Sequence, residues 1–347
     1  MQHFRRVCTM VLIITALMVS RADAIPVPLP SLDKLTEGST LIVMGQLSSV
    51  QHVGSTSIDT SYLKERFGVV LKSPRVNARV ERGLIQVEQV LKGVPPPPSF
   101  TFDFLVPEEF IGWDTPEERV FGVFFFRTTE TGTLEFTDPY FTWIQTGRGL
   151  NSSGDSPLDR LISILTAHLS IPDASLETKN KAVVLLQFGK SNASLVALRE
   201  ALSNPIPELS ARAAGALMWR GDISGMGIFK RVFLQGQPLP KGLEETLPNT
   251  LADIGDPKII PDLEELLVSS SVYMRRGATF ALMRMKSPEA VNGLRNALGD
   301  SDFQVRYDAV VGLAEIMGET AWRPSVRAFR SDEIKYLSHW RERAQSR

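Results

Sequence analysis

RGATFALMRMKS (residues 276–287) and YDAVVGLAEIMG (residues 307–318) decide the fold of the C-terminal half of this chain. In each, an anchor alanine (Ala278, Ala309) is followed three residues on by a small residue (Ala281, Gly312) and four residues on by a leucine (Leu282, Leu313). Stepping back 31 residues from Ala278 reaches Leu247, a further 34 reaches Ala213, and a further 31 reaches Ala182. The leucine recurs each time, as Leu251, Leu217 and Leu186, and Thr250, Ala216 and Leu185 stand before it. Offsets of zero, three and four place these side chains on one helix face, where small residues admit a close neighbour.

Each such helix ends at a polar joint: Gly221-Asp222, Gly255-Asp256, Lys286-Ser287 and Met317-Gly318. A second apolar helix follows. Its inner positions at offset 13 are Leu195, Met226, Ile260, Val291 and Trp322, and at offset 20 Leu202, Phe233, Leu267, Leu298 and Phe329. The single longer step falls on QGQPLPK (residues 235–241), a Gly/Pro loop able to absorb three residues. Self-similarity at this period defines a repeat array, in which no hairpin hides its apolar face alone and neighbours must stack. Pro157 to Ser170 reads as a first cap and Ile334 to Arg343 (IKYLSHWRER) as a closing helix, with Tyr336, Leu337 and Trp340 turned inward.

With KAVVLLQFGKS, ARAAGALMWRGD, RGATFALMRMKS and YDAVVGLAEIMG in view, residues 176–330 resemble HEAT repeats of the short kind named for phycobilisome lyases. The resemblance implies an α-solenoid of five helix pairs, and a surface suited to a protein or peptide rather than any particular activity. Tetratricopeptide repeats fit less well, since their fixed period and aromatic signature are absent.

The N-terminal half carries strand signals. Leu41 to Met44 is a short apolar run ending at Gly45, a natural bulge position, and Leu84 to Leu91 alternates with a period near two. Val94 to Pro98 is a turn whose prolines cannot sit in a central strand. Phe100, Phe102 and Phe104 share a face, while Val120 to Phe126 is apolar on both faces and so central. Leu134 to Phe136 and Tyr140 to Ile144 complete about six strands, and Gln51 to Arg82 reads as an extension or a partly ordered loop. Ten of the 18 phenylalanines fall between Phe100 and Phe141, which indicates a small all-β core. The LIVMG strand and the VEQVLKG strand end loosely resemble small OB-like or netrin-like domains, so a barrel or sandwich is expected over residues 25–150, with a linker at 151–156 and the α-solenoid at 157–347.

The N-terminus has the layout of a signal peptide: Arg5 and Arg6, an apolar run from Val7 to Ser20, then Ala22-Asp23-Ala24. Cleavage after Ala24, at residues 1–24, implies a secreted or periplasmic protein whose mature chain begins with IPVPLP, lacks the only cysteine (Cys8) and has a net charge of −3 instead of −1. The run is too short for a bilayer span, and no later segment is long and apolar enough. That charge argues against a nucleic-acid partner.

No motif assembles a catalytic set. His52, His168 and His339 are widely separated, so neither a metal nor another cofactor is expected. Gly189-Lys190-Ser191 lacks the first glycine of a phosphate loop and reads as a joint, as does Gly221 to Gly225. Glu108, Glu109, Asp114, Glu117 and Glu118 surround Trp113, an arrangement open to carbohydrate binding or hydrolysis as well as to a plain solvated rim. On the second helices, offset 17 carries Arg199, Lys230, Glu264, Arg295 and Val326, and offset 18 carries Glu200, Arg231, Glu265, Asn296 and Arg327. Arg199, Lys230, Arg231, Arg295 and Arg327 are the candidate partner contacts, although long charged side chains also simply solvate a helix face and Glu264 and Glu265 interrupt the stripe. The expectation is a non-enzymatic binding scaffold; the alternatives are carbohydrate chemistry at Trp113 and, on the family resemblance, lyase-like handling of a bilin.

Overall fold

The computed structural model describes residues 31–59, 61, 75–108, 116–138 and 141–345. The expected leader, the IPVPLP segment and Trp113 lie outside the described residues. The chain divides into two compact units, Met1–Ala197 and Leu198–Arg347.

The described residues of the first unit begin with a helix that the sequence reading missed, α1 (Leu32–Gly38). Seven residues are too few for periodicity to register, but the local chemistry is complete. Ser31 accepts the Lys34 N–H as N-cap, Leu32 and Leu35 are buried, and Lys92 Nζ donates to the carbonyls of Thr36 (2.6 Å) and Glu37 at the negative end of the helix dipole. Six antiparallel strands follow: β1 (Leu41–Asp59), β2 (Arg75–Lys92), β3 (Ser99–Pro107), β4 (Val120–Thr128), β5 (Leu134–Phe136) and β6 (Trp143–Gln145). The order is β3-β2-β1-β4-β5, with β6 also pairing β4. As expected, β4 is central: Phe121 to Phe126 are buried on both faces.

Gly45 sits at a register shift between β1 and β2, but the strand continues through it. It stands opposite Gly122 of β4, and neither tolerates a side chain. A Cβ on Gly45 would lie 2.2 Å from the Gln86 carbonyl oxygen, and one on Gly122 would lie 2.2 Å from that of Ile144. The paired glycines let four strands, β2, β1, β4 and β6, crowd together where the sheet bends. That curvature brings opposite ends of the strand order into contact: Phe136 of β5 meets Phe102 and Phe104 of β3 at ring-centroid distances of 5.0 and 5.5 Å. The expected all-β N-terminal domain is present, as a six-stranded antiparallel sheet curled over its own phenylalanines and not closed into a barrel. Closure would need a hydrogen-bonded ladder between β3 and β5, and among the described residues the outer edge of β4 is instead shared by the two short strands β5 and β6.

The expected loop from Gln51 to Arg82 is corrected. Gln51–Asp59 pairs with Arg75–Arg82 as the outer half of a long β1–β2 hairpin. Its β1 side is polar and largely exposed, which hides the alternation; the apolar signal sits on β2, where Val76 and Ala78 are buried between two neighbouring strands.

After β6 the stretch 151–156 leads into α2 (Pro157–Leu169), opened by a reciprocal capping box between Ser156 and Asp159. α3 (Leu176–Phe188) exposes its first turn and buries Ala182 to Gln187 without a break. His168 of α2 is 2% exposed and joins three segments: Nδ1 accepts the Gly147 N–H (3.2 Å), and Nε2 donates to Thr178 Oγ1 (3.0 Å). Burial and the nearby Lys179 charge lower its pKa to about 4. Helix α4 (Asn192–Ala201) runs across the division between the units.

In the second unit helices alternate in pairs: α5 (Pro207–Trp219), α6 (Met226–Phe233), α7 (Lys241–Thr246), α8 (Ile260–Leu266), α9 (Val272–Met285), α10 (Val291–Ala297), α11 (Phe303–Met317), α12 (Val326–Ser331) and the closing α13 (Glu333–Gln345). The leucine column is buried as the repeat demands: Leu217, Leu251, Leu282 and Leu313 are each 0% exposed, as is Leu186 in the first unit. Small residues give close approach, since a Cβ on Gly277 would lie 2.7 Å from Pro248 and one on Gly312 2.8 Å from Leu294. Two of the polar joints cap the 3₁₀ turns that lead into the second helices: Asp222 accepts the Ser224 N–H and Asp256 the Lys258 N–H.

The third repeat departs from the expected helix. α7 stops at Thr246 and Leu247–Asp253 forms a 3₁₀ helix, because Pro248 has no N–H to continue an α-helix and Thr250 Oγ1 turns back to the Leu247 carbonyl (2.7 Å). Leu247 and Leu251 remain buried all the same. At the far end α13 buries Leu337 and Trp340 and half-buries Tyr336, as expected of a cap; His339 stacks on Trp322 at 3.6 Å and meets Glu319 (2.9 Å), which also holds Arg343. Within α11, Asp308 is 4% exposed with Gln304 Nε2 donating to it (2.8 Å), and burial raises its pKa to about 6.

Four outcomes follow from these packing details. Gly122→Ala forces a Cβ into a backbone oxygen, and the first unit is expected to lose at least about 3 kcal/mol in urea unfolding. Lys286, at φ 52°, closes α9 in the left-handed region, so Lys286→Gly is expected to gain about 1 kcal/mol, less whatever its exposed ion pair with Glu315 contributes. The unfolded chain protonates His168 below about pH 6.5 while the folded chain resists to about 4, so stability falls as pH drops through that window. By pH 5 the loss is about 2 kcal/mol, and His168→Gln removes that part of the pH dependence. For Asp308 the sign reverses: its folded pKa exceeds the unfolded one, stability is lost as pH rises towards and past 6, and Asp308→Asn is expected to stabilise the second unit by about 2 kcal/mol at pH 8 with little effect at pH 4.

Candidate binding surface

The second helices of the repeats, α4, α6, α8, α10 and α12, turn offsets 16 and 20 inward and offsets 17 and 18 away from the core. Phe229, Leu263 and Leu294 are each 0% exposed, and Arg231, Glu265 and Arg327 are exposed. The five cations proposed from sequence do not share one fate. Arg199 donates to Asp222 through Nε (2.9 Å). Partial burial works against the charged form of Asp222, but hydrogen bonds from Ser224 and Arg199 outweigh it and hold the carboxyl below its usual range. Lys230 is clasped by Asp262 and Glu265, the latter at 3.0 Å, and these two hydrogen bonds raise its pKa. Arg231 and Arg327 are exposed and Arg295 half-buried, and among the described residues none of the three has an ion-pair partner. The broken basic stripe thus reduces to three unpaired arginines on three repeats; Arg199 and Lys230 are already satisfied by the next segment of the array, and the third repeat carries Glu264 and Glu265 instead of a cation.

What the charge pattern did not reveal lies one position further on. Offset 21 is Leu234 in one repeat and Val268 in the next, 37% and 82% exposed. With Phe233, Glu265, Ser269 and Ser270 they line a shallow groove of about 460 Å³. Its floor is held by Ser269 Oγ, which donates to the Phe233 carbonyl (2.7 Å). The corresponding residues Ser203, Gly299 and Arg330 in the other repeats are not large and apolar, so aligning offset 21 down the repeats would have shown this pair in the sequence.

Around Trp113, Glu108, Glu117 and Glu118 are described; Glu118 accepts the Val50 N–H (3.1 Å), which makes it part of the sheet edge. Glu109, Trp113 and Asp114 lie outside the described residues. Gly189 to Ser191 forms the joint between α3 and α4, with Ser191 Oγ accepting the Ser194 N–H at 3.2 Å. Among the described residues no group of three His, Cys, Asp or Glu side chains is placed to hold a metal ion, and no helix is long and apolar enough to cross a membrane.

A family model agrees with the repeat architecture of the second unit. Residues 245–335 match the family model for HEAT repeats, so this stretch carries the repeat type that the sequence resembles. Among solved structures, human deoxyhypusine hydroxylase in complex with glycerol is similar at 13% identity and a TM-score of 0.27, over 54% of this chain and 95% of that one. The complex of CpcE and CpcF of phycocyanin lyase from Nostoc sp. PCC7120 is similar at 17% identity and a TM-score of 0.32, over 53% of this chain and 80% of that one. A search of the curated proteins finds no match to the chain.

Because Lys230 is 28% exposed, its pairing is expected to contribute little: Lys230→Met should cost no more than about 1 kcal/mol, and less at 1 M salt, as read by urea unfolding of full-length chain.

Proposed function

We propose that this protein is an exported, non-enzymatic scaffold that uses the outward faces of its second helices to bind a protein partner. The observation that carries the reading is the HEAT-repeat array itself, since HEAT repeats usually mediate protein interactions. Such an array offers an extended row of equivalent side chains rather than a deep cleft. The three unpaired arginines, Arg231, Arg295 and Arg327, favour an acidic segment of the partner, because their charges are not spent inside the fold. Export rests on the layout of residues 1–24, and the proposed compartment is secreted or periplasmic.

Crosslinking a tagged full-length chain in its native cells should recover one discrete protein, and the recovery should fall at least about tenfold in the triple variant Arg231→Glu, Arg295→Glu, Arg327→Glu. Recovery no different from an untagged control would overturn the scaffold reading, and recovery unchanged in the triple variant would overturn the arginine surface. Mass spectrometry of the secreted or periplasmic fraction should find a mature N-terminus at Ile25; an intact chain confined to the cytoplasm would remove export.

A further inference from the structure

We infer that the groove between the ends of α6 and the segment following α8 is a docking site for a partner segment presenting an aliphatic side chain beside a lysine or arginine. The inference deepens the scaffold reading and rests on it, while placing a contact away from the three arginines.

The groove is unusual within its own array. Offset 20 is the last core position of each second helix, and offset 21 is where the chain turns out to solvent. Val268 at that point has no packing role in the fold, as its 82% exposure shows, and Leu234 keeps 37% of its surface exposed. Together, in consecutive repeats, they form a continuous apolar lip over Phe233, whose ring is itself 5% exposed and packed on Phe229. The walls are already fixed by the Ser269 hydrogen bond, so an incoming side chain meets a formed surface. The groove falls where the repeat step lengthens: Leu234 is followed directly by the Gly/Pro insertion at residues 235–241.

Charge complementarity selects the occupant. Glu265 is the charged residue that lines the groove, and its side chain is 56% exposed. Its cation, Lys230, is shared with Asp262, so one ammonium faces two carboxylates. Glu264, on the same helix, lies against Gly293 of the next repeat and does not line the groove, so Glu265 sets its charge. Arg231, one turn before Leu234, is exposed and is not among the residues that line the groove. A basic side chain beside an aliphatic one meets both features at once, whereas an acidic one meets repulsion.

The test uses three fluorescein-labelled nine-residue peptides, in which lysine alternates with leucine, lysine with serine, or glutamate with leucine, titrated into the full-length chain by fluorescence anisotropy. The lysine–leucine peptide should bind at least about tenfold more tightly than either of the others. Val268→Asp and Glu265→Gln should each remove that preference; Val268→Asp should leave the urea midpoint unchanged, since its side chain is exposed, and Glu265→Gln should lower it no more than Lys230→Met does. The triple arginine variant should leave it intact. Equal binding of the lysine–leucine and lysine–serine peptides would show attraction by charge alone and overturn the site, as would a preference that survives Val268→Asp. Loss of the groove in these titrations alongside a partner that still depends on the arginines would leave the scaffold reading standing and remove only this inference.

Discussion

The constraint on which the array depends is that no helix pair can hide its own apolar flank. Leu217, Leu251, Leu282 and Leu313 are dry only because the next pair lies against them, and the small residues beside them set how close it lies. Each buried leucine contributes on the order of 2 kcal/mol when removed from water, and that gain is available only to neighbours in register. Everything on the outward faces follows from that stacking. Two of the joints become N-caps, the second helices align, and residues far apart in sequence, such as Lys230 and Glu265, come within hydrogen-bonding distance.

The first unit solves a different problem. Its sheet has more aromatic volume than a flat surface can cover, and it buries the excess by bending. Gly45 and Gly122 make the bend sterically possible, and Phe102, Phe104, Phe126 and Phe136 fill the hollow. The opposite face of the sheet carries α1, so that β4 sees no water on either side. The polar pins at the edges, Lys92 on α1 and His168 between Gly147 and Thr178, attach helices to strands through single side chains.

Legibility in the sequence followed the length scale of each interaction. The repeat was readable because its core positions recur at a fixed spacing that local chemistry cannot imitate, and the closing helix because Leu337 and Trp340 keep helical spacing. The strands β2 to β4 were readable from alternation. α1 was too short to show a period, and the outer hairpin was hidden because its β1 half is polar and largely exposed, while its buried apolar residues are Val76 and Ala78 of β2. Closure of the sheet depends on which edges meet, and that information is spread over five strands. Among surface residues, Arg199 and Lys230 looked like free cations because their acids, Asp222 and Asp262, lie 23 and 32 positions away. Leu234 and Val268 were passed over because exposure, unlike burial, leaves no period unless repeats are aligned position by position.

The 3₁₀ segment at Leu247–Asp253 sets a limit on how this array can be cut. Its hydrogen bonds are of the poorer kind, and it is shaped from outside, by α5 on one flank and α9 on the other, with Pro248 seated against Gly277. A hairpin of this sort cannot serve as a terminus. Any shortened version of the array must keep both of its companions, so the indivisible kernel of the second unit is the run of three hairpins from α5 to α10, and only the pairs beyond it are removable modules.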